Sequence, residues 1–160
     1  ASADECEAAG LEVVPLPPDL QQRFGETDPH IQGWLGNPAD ASILIGSPLT
    51  LQTILEEMEK SPHFDLLIAN AGEAWPLDHP SGIPLVRRWV EGVLAVAARS
   101  RKPLALVVGD IMTQYEWQRQ ALRELMERVV AAGVALYPTV GRAARALASL
   151  ARYYTSRNEE

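Results

Sequence analysis

The sequence predicts an α/β protein in which a parallel sheet is covered by helices on both sides. Three short runs, FDLLIAN (64–70), LALVVG (104–109) and VALY (134–137), are apolar almost throughout, as strands buried on both faces are. Between and after them lie longer segments whose apolar residues recur three and four apart. Strands alternating with helices in this way build parallel sheets with helical layers above and below.

Taken in order, residues 4–9 read as the last turns of a helix that Gly10 ends, since glycine readily takes the left-handed conformation past a helix end. LEVVPL (11–16) reads as a short strand stopped by prolines, and Pro17 and Pro18 open a helical turn through Leu20 and Phe24. Residues 25–40, rich in Gly, Pro and Asn, read as loop. Next comes a helix with Leu51, Ile54, Leu55 and Met58 on one face, and Ser47 before Pro48 suits its cap.

After the strand at 64–70, the loop AGEAWPLDHPSG (71–82) is long for a compact domain, and such loops are often functional. The helix that follows places Leu85, Trp89, Val93 and Val96 inward and breaks at Lys102 and Pro103. A strand (104–109), a helix closed by Gly133, a strand (134–137) and an Ala-rich helix over about 142–154 complete one domain, 1–160. Right-handed crossovers make a flavodoxin-like or Rossmann-like doubly wound sheet the leading topology. Such folds begin with a strand, whereas this sequence begins in a helix.

Composition narrows function. The 160 residues are 47% hydrophobic and 22% charged, which is globular. A formal charge of −7 argues against a nucleic-acid surface, and no apolar run spans a bilayer. The acidic start and the single Cys6, read as a small packed residue in a reducing compartment, point to the cytoplasm. Paired His and Cys at metal-ligand spacing are absent, as are Gly-rich phosphate-loop and dinucleotide patterns and the acidic pattern of a receiver domain.

Four stretches together resemble the nucleoside-diphosphate-forming acyl-CoA synthetases, the superfamily that includes succinyl-CoA synthetase. ADECEAAGLEVVPL (3–16) is similar to a helix and second strand of that family's flavodoxin-like ligase domain, and GNPADAS (36–42) to its Asn-Pro-x-Asp loop. LQTILEEMEKSPHFD (51–65) is similar to the approach to its third strand, with Ser61 in place of an Asp. AAGVALYPTVGRAARALASLARY (131–153) is similar to the domain's ending. The resemblance implies a flavodoxin-like, three-layer sheet whose first, central strand does not lie in these residues. An adjacent segment, a second chain or a changed strand order would then fill the gap, because unpaired buried backbone is costly.

The resemblance also implies a chemistry: an acid is joined to CoA at the expense of ATP and Mg²⁺, through a phosphohistidine carried on another domain. This chain would bind no cofactor alone. Its partners would be the CoA-binding and nucleotide-grasp modules of the same synthetase, with a homo-oligomer possible. Its contribution would be a helix amino end near Ser2, facing the phosphohistidine, and an acid-side turn at Asn70, Ala71 and Gly72, extended to Ser81 and Gly82. Glu73 and Asp78 add negative charge to that turn. The alternative is a non-catalytic regulatory or scaffolding ligase-like domain, as in fusions with protein acetyltransferases. A stand-alone flavin or nucleotide carrier is a third reading, which the missing phosphate loop opposes.

Asn37 and Asp40 have two readings, a place near the phosphohistidine loop or a turn held by their own side chains. His79, beside Asp78, is a weak catalytic candidate set against a solvated loop histidine, and the family's His-Thr-Gly setting is missing around it. His30 and His63 read as surface positions, the four tryptophans as core and loop anchors, and Arg87 and Arg88 as solvated.

Overall fold

A computed structural model describes residues 2–31, 35–40, 44, 46–71, 82–109 and 115–158. Six helices and three strands lie among them: α1 (Ser2–Ala8), α2 (Pro18–Thr27), α3 (Leu51–Lys60), β1 (Leu67–Asn70), α4 (Gly82–Ala97), β2 (Leu104–Val107), α5 (Glu116–Ala131), β3 (Ala135–Tyr137) and α6 (Val140–Asn158). The strands form one sheet in the order β1-β2-β3, all parallel, with Leu67 opposite Leu104 and Ala105 opposite Ala135. The α/β class is therefore present, with a smaller sheet than the sequence suggests.

Helix ends follow local rules. Gly10 (φ +90°) and Gly133 (φ +74°) each sit just past a helix in left-handed conformation. At the first, the amides of Gly10 and Leu11 donate to the carbonyls of Glu7 and Cys6 (2.9 and 3.0 Å). At the second, Gly133 and Val134 donate to Val130 and Val129 (2.9 and 3.2 Å). This paired closure satisfies carbonyls that a helix end otherwise leaves open.

Alternation along the strands divides the interior into two layers. Leu67, Ala69 and Leu106 join the larger core, formed with Leu20 and Phe24 of α2, Ile54 and Leu55 of α3, Val90 and Val93 of α4, and Leu122 and Val129 of α5. Ala105 and Val107 face the opposite way, onto Val140, Ala143 and Leu147 of α6, with Ile68 and Cys6 half-buried beside them. Helix α1 packs on α6, so these two cover one face and α3, α4 and α5 cover the other. Within the larger layer α3 and α4 approach closely at Gly92, where an added Cβ would stand 3.1 Å from Gln52 Cβ. None of the described helices is long and apolar enough to cross a membrane.

Several expectations change. LEVVPL is not a strand: residues 11–17 have no regular structure, because a strand needs a ladder partner and nothing described pairs with this one. Helix α2 runs on to Thr27, past the expected stop at Gly25, since Gly25 is buried in it beside Phe24. Thr50, not Ser47, caps α3, accepting from the Thr53 amide at 3.1 Å. Ser47 instead donates to the buried Asp28 carboxylate at 2.6 Å and accepts from the Leu49 amide. The last helix is longer than expected at both ends, and Trp117 is exposed at 60% while Trp89 is buried. Trp34 and Trp75 lie outside the described residues.

Candidate functional site

The carboxyl rim of the sheet is located by Asn70, the last residue of β1, and by α6, which leaves the far end of β3. Helix α1 starts at the same rim. Its Glu5 lies against Gly141 at the start of α6, where an added Cβ would meet the Glu5 carboxylate at 2.6 Å. Gly10, past its end, lies near Arg152, late in α6. The two helices thus run in the same direction, and Ser2 stands at the rim.

Ser2, Asn37, Asp40 and Asn70 all line one cavity of about 560 Å³. They arrive by three routes: Ser2 on a helix start, Asn37 and Asp40 on one connecting loop, and Asn70 on a strand end. The Asn37–Pro38 peptide is cis. Asn37 is committed structurally, because its Nδ2 donates to the Val14 carbonyl at 2.7 Å and ties the loop to the segment that follows α1. That bond reaches a distant segment, where a self-held turn was one of the two readings. Asp40 and Asn70 also have interaction partners.

The other expected residues fall elsewhere. Ala71 is fully buried, and its amide donates to the Val107 carbonyl at 2.9 Å, which extends the β1–β2 ladder by one residue. Gly82 is buried as the first residue of α4 and is not among the described cavity-lining residues. Gly72, His79 and Ser81, with Glu73 and Asp78, lie outside the described residues. His30 and His63 are exposed, the latter also edging the cavity. Arg87 and Arg88 are exposed.

Beyond its polar rim the cavity is apolar. Ile54, Leu55 and Met58 of α3 line it, as do Leu11, Val13 and Val14. The spacing of the α3 residues predicts a core face; that face also turns to the cavity, which helical periodicity alone does not signal. Cys6 borders the same space. Burial, then the carboxylates of Glu5 and Glu7, push its thiol pKa up, so it stays protonated and is a poor nucleophile. Charge on the lining is one-sided: Glu12, Asp40 and Asp65 are present, with no Lys or Arg among the described lining residues. Nor do the described residues hold a cluster of His, Cys, Asp and Glu fit for a metal ion. An anion would find no lysine or arginine among the described lining residues, whereas an apolar body with a few polar contacts at one end matches it. No protein-family model, curated protein or solved structure matches this chain.

Proposed function

We propose that the chain is a flavodoxin-like ligase domain of a nucleoside-diphosphate-forming acyl-CoA synthetase-like protein. In this reading it works as one part of a composite site, and the phosphohistidine, nucleotide grasp and CoA-binding module belong to other domains. The supporting observation is that Ser2, Asn37, Asp40 and Asn70 line one cavity along an edge strand of a parallel sheet, with Asn70 at that strand's carboxyl end. Ligands of open α/β sheets bind outside the carboxyl ends of the strands. The helical layers fit a doubly wound topology as well, with α1 and α6 on one face and three helices on the other.

The parent reaction would form an acyl phosphate from acid and ATP·Mg²⁺, pass the phosphoryl group through histidine and deliver the acyl group to CoA. This chain would contribute polar groups and the acid-side turn after β1, and would carry out no bond-making step alone.

A second reading is a regulatory or scaffolding domain of the same architecture, and one observation favours it. The described cavity lining has three carboxylates and no Lys or Arg, an unfavourable setting for a carboxylate or phosphate guest. Incubating the full-length gene product with ATP, Mg²⁺ and CoA, and assaying acid-labile phosphate on histidine, separates the two. Label supports the ligase reading. Its absence from intact, folded protein overturns catalysis and leaves the scaffold.

A further inference from the structure

The face that α1 and α6 turn away from the sheet is divided by charge. Helix α1 carries Asp4, Glu5 and Glu7 with no Lys or Arg, and all three are exposed. Helix α6 carries Arg142, Arg145, Arg152 and Arg157 with no Asp or Glu, and these are exposed as well. Val140, Ala143, Ala144, Leu147 and Ala148 are the buried side of α6, so at 3.6 residues per turn Arg142, Arg145, Arg152 and Tyr153 fall on its outward side. Elsewhere Arg23, Arg99, Arg119 and Arg128 each pair with a carboxylate, whereas among the described residues the arginines of α6 have no such partner.

The two helices run in the same direction at matched heights. Glu5 lies against Gly141 and Gly10 lies near Arg152, so Asp4 and Glu7 stand within about one helical turn of the level of Arg142 and Arg145. Beyond the end of α1 the last turns of α6 overhang, and residues 149–157 are all exposed. Tyr153 and Tyr154 meet there edge to face with ring centroids 5.5 Å apart, and the Arg157 guanidinium lies 5.5 Å from the Tyr153 ring. Tyrosine and arginine are the residue types in which the centres of protein interfaces are rich.

We infer that the α1–α6 face pairs with the same face of a second copy of this chain, about a two-fold axis running along the groove between the two helices. Such an axis keeps every residue at its own height and exchanges the two sides of the groove. It sets α6 of each copy over α1 of the other, with Arg142 and Arg145 opposite Asp4 and Glu7, and Tyr153 over the chain that follows Gly10. A two-fold interface must be complementary to itself, and an acidic helix beside a basic one meets that demand. Stacking α6 on α6 would bring arginine to arginine, and nucleic acid would meet the carboxylates of α1 beside the arginines. Helix α6, of 19 residues, is about 28 Å long and the helix pair about 20 Å wide, so the paired faces cover about 1,100 Å² in total. That is the lower end of specific interfaces, so the dimer is reversible, and its charged contacts make it sensitive to salt. The pairing goes beyond the ligase reading and does not depend on it.

Sedimentation velocity of the 160-residue chain at rising micromolar concentration tests this on the wild type, on Asp4→Arg with Glu7→Arg, and on Arg142→Glu with Arg145→Glu. The wild type should pass from monomer to dimer, and do so about tenfold more tightly at low than at high salt. Each double variant brings like charges together across the face and should dimerise at least about tenfold more weakly. Mixed in equal amounts, the two should form a one-to-one heterodimer of near wild-type strength, which an unfolded variant cannot do. A wild type that stays monomeric throughout leaves the face to an acidic partner of another kind and overturns the inference. So do variants that dimerise as the wild type does, and a mixture that fails to associate. Species larger than a dimer would mean head-to-tail stacking, which overturns the two-fold pairing. None of these readouts involves phosphohistidine, so they stand apart from the ligase assay.

Discussion

Replacing Asn37 by Asp tests what holds the rim together. The Asn37 side chain donates from Nδ2 to the Val14 carbonyl at 2.7 Å, across 23 residues of sequence and from a half-buried position. Asn37→Ala removes one neutral hydrogen bond, a loss of about 1 kcal/mol, lessened because water reaches the site in part. Asn37→Asp keeps the size but, when ionised, cannot donate and sets a carboxylate against a carbonyl oxygen. Adding that repulsion to the lost bond gives about 2 kcal/mol at pH 7. The protonated carboxyl donates again, so the folded state binds its proton more tightly than the unfolded state, whose value is about 3.9. The penalty is therefore absent below about pH 4 and grows as pH rises through the folded value, an increment of ~1.4 kcal/mol per pK unit. Urea unfolding of the wild type and both variants at pH 4 and pH 7 reads this directly. If Asn37→Asp is no worse than Asn37→Ala at pH 7, or if their difference is unchanged by acid, Asn37 is not the donor that pins Val14.

Gly92→Ala gains about 1 kcal/mol in helix propensity and loses a comparable amount by parting α3 and α4, so its thermal midpoint stays close to wild type. Gly92→Val adds branched carbons against Gln52 and should cost about 2 kcal/mol or more; a well-tolerated Val would show that the helices are not in close approach there. Asp19, bonded by Arg23, Glu56, bonded by Gln52 and then Arg99, and Glu116, bonded by Arg119, are each held below their ordinary values of 3.8, 4.5 and 4.5. Their folded-state pKa values are depressed, so what they contribute is present above those values and lost as pH falls through them. Asp19 and Glu116 are exposed and Glu56 is half-buried, so the slope of thermal midpoint between pH 5 and 3 should flatten in 1 M salt; an unchanged slope would assign acid sensitivity to other groups. Cys6, whose thiol is pushed up by burial and by Glu5 and Glu7, should react with a disulfide reagent at pH 8 about tenfold more slowly in folded than in urea-unfolded protein, and equal rates would refute the shielding.

What the sequence discloses depends on how local the cause is. Gly10 and Gly133 are readable as helix ends because a left-handed residue and two backbone bonds suffice, and the structure shows both. The runs containing β1, β2 and β3 are readable because strands buried on two faces are apolar at successive positions. LEVVPL has a strand's composition, yet a strand is defined by its neighbour, which no local pattern supplies. The capping of α3 is a nearer miss. Ser47 and Thr50 are both suitable residue types, and the buried Asp28, distant in sequence, takes the first, while Thr50 serves the helix. Asn37 illustrates the same limit at the rim, since its partner Val14 lies in a segment that only the tertiary fold brings near.

The charge of the cavity lining bears on which reading of the rim survives. Ser2, Asn37, Asp40 and Asn70 line one cavity that reaches the carboxyl end of β1, where open α/β sheets receive ligands, which is the strongest case for an acid-binding role. Yet a carboxylate guest loses hydration on entry and recovers it only from donors or cations, and the described lining offers carboxylates instead. Neutralising part of that lining with Glu12→Gln and Asp65→Asn together should therefore tighten the binding of a small dicarboxylate. Isothermal titration of succinate into the wild type and the double variant decides it, and equal affinity would show that the lining charge does not govern what the cavity admits.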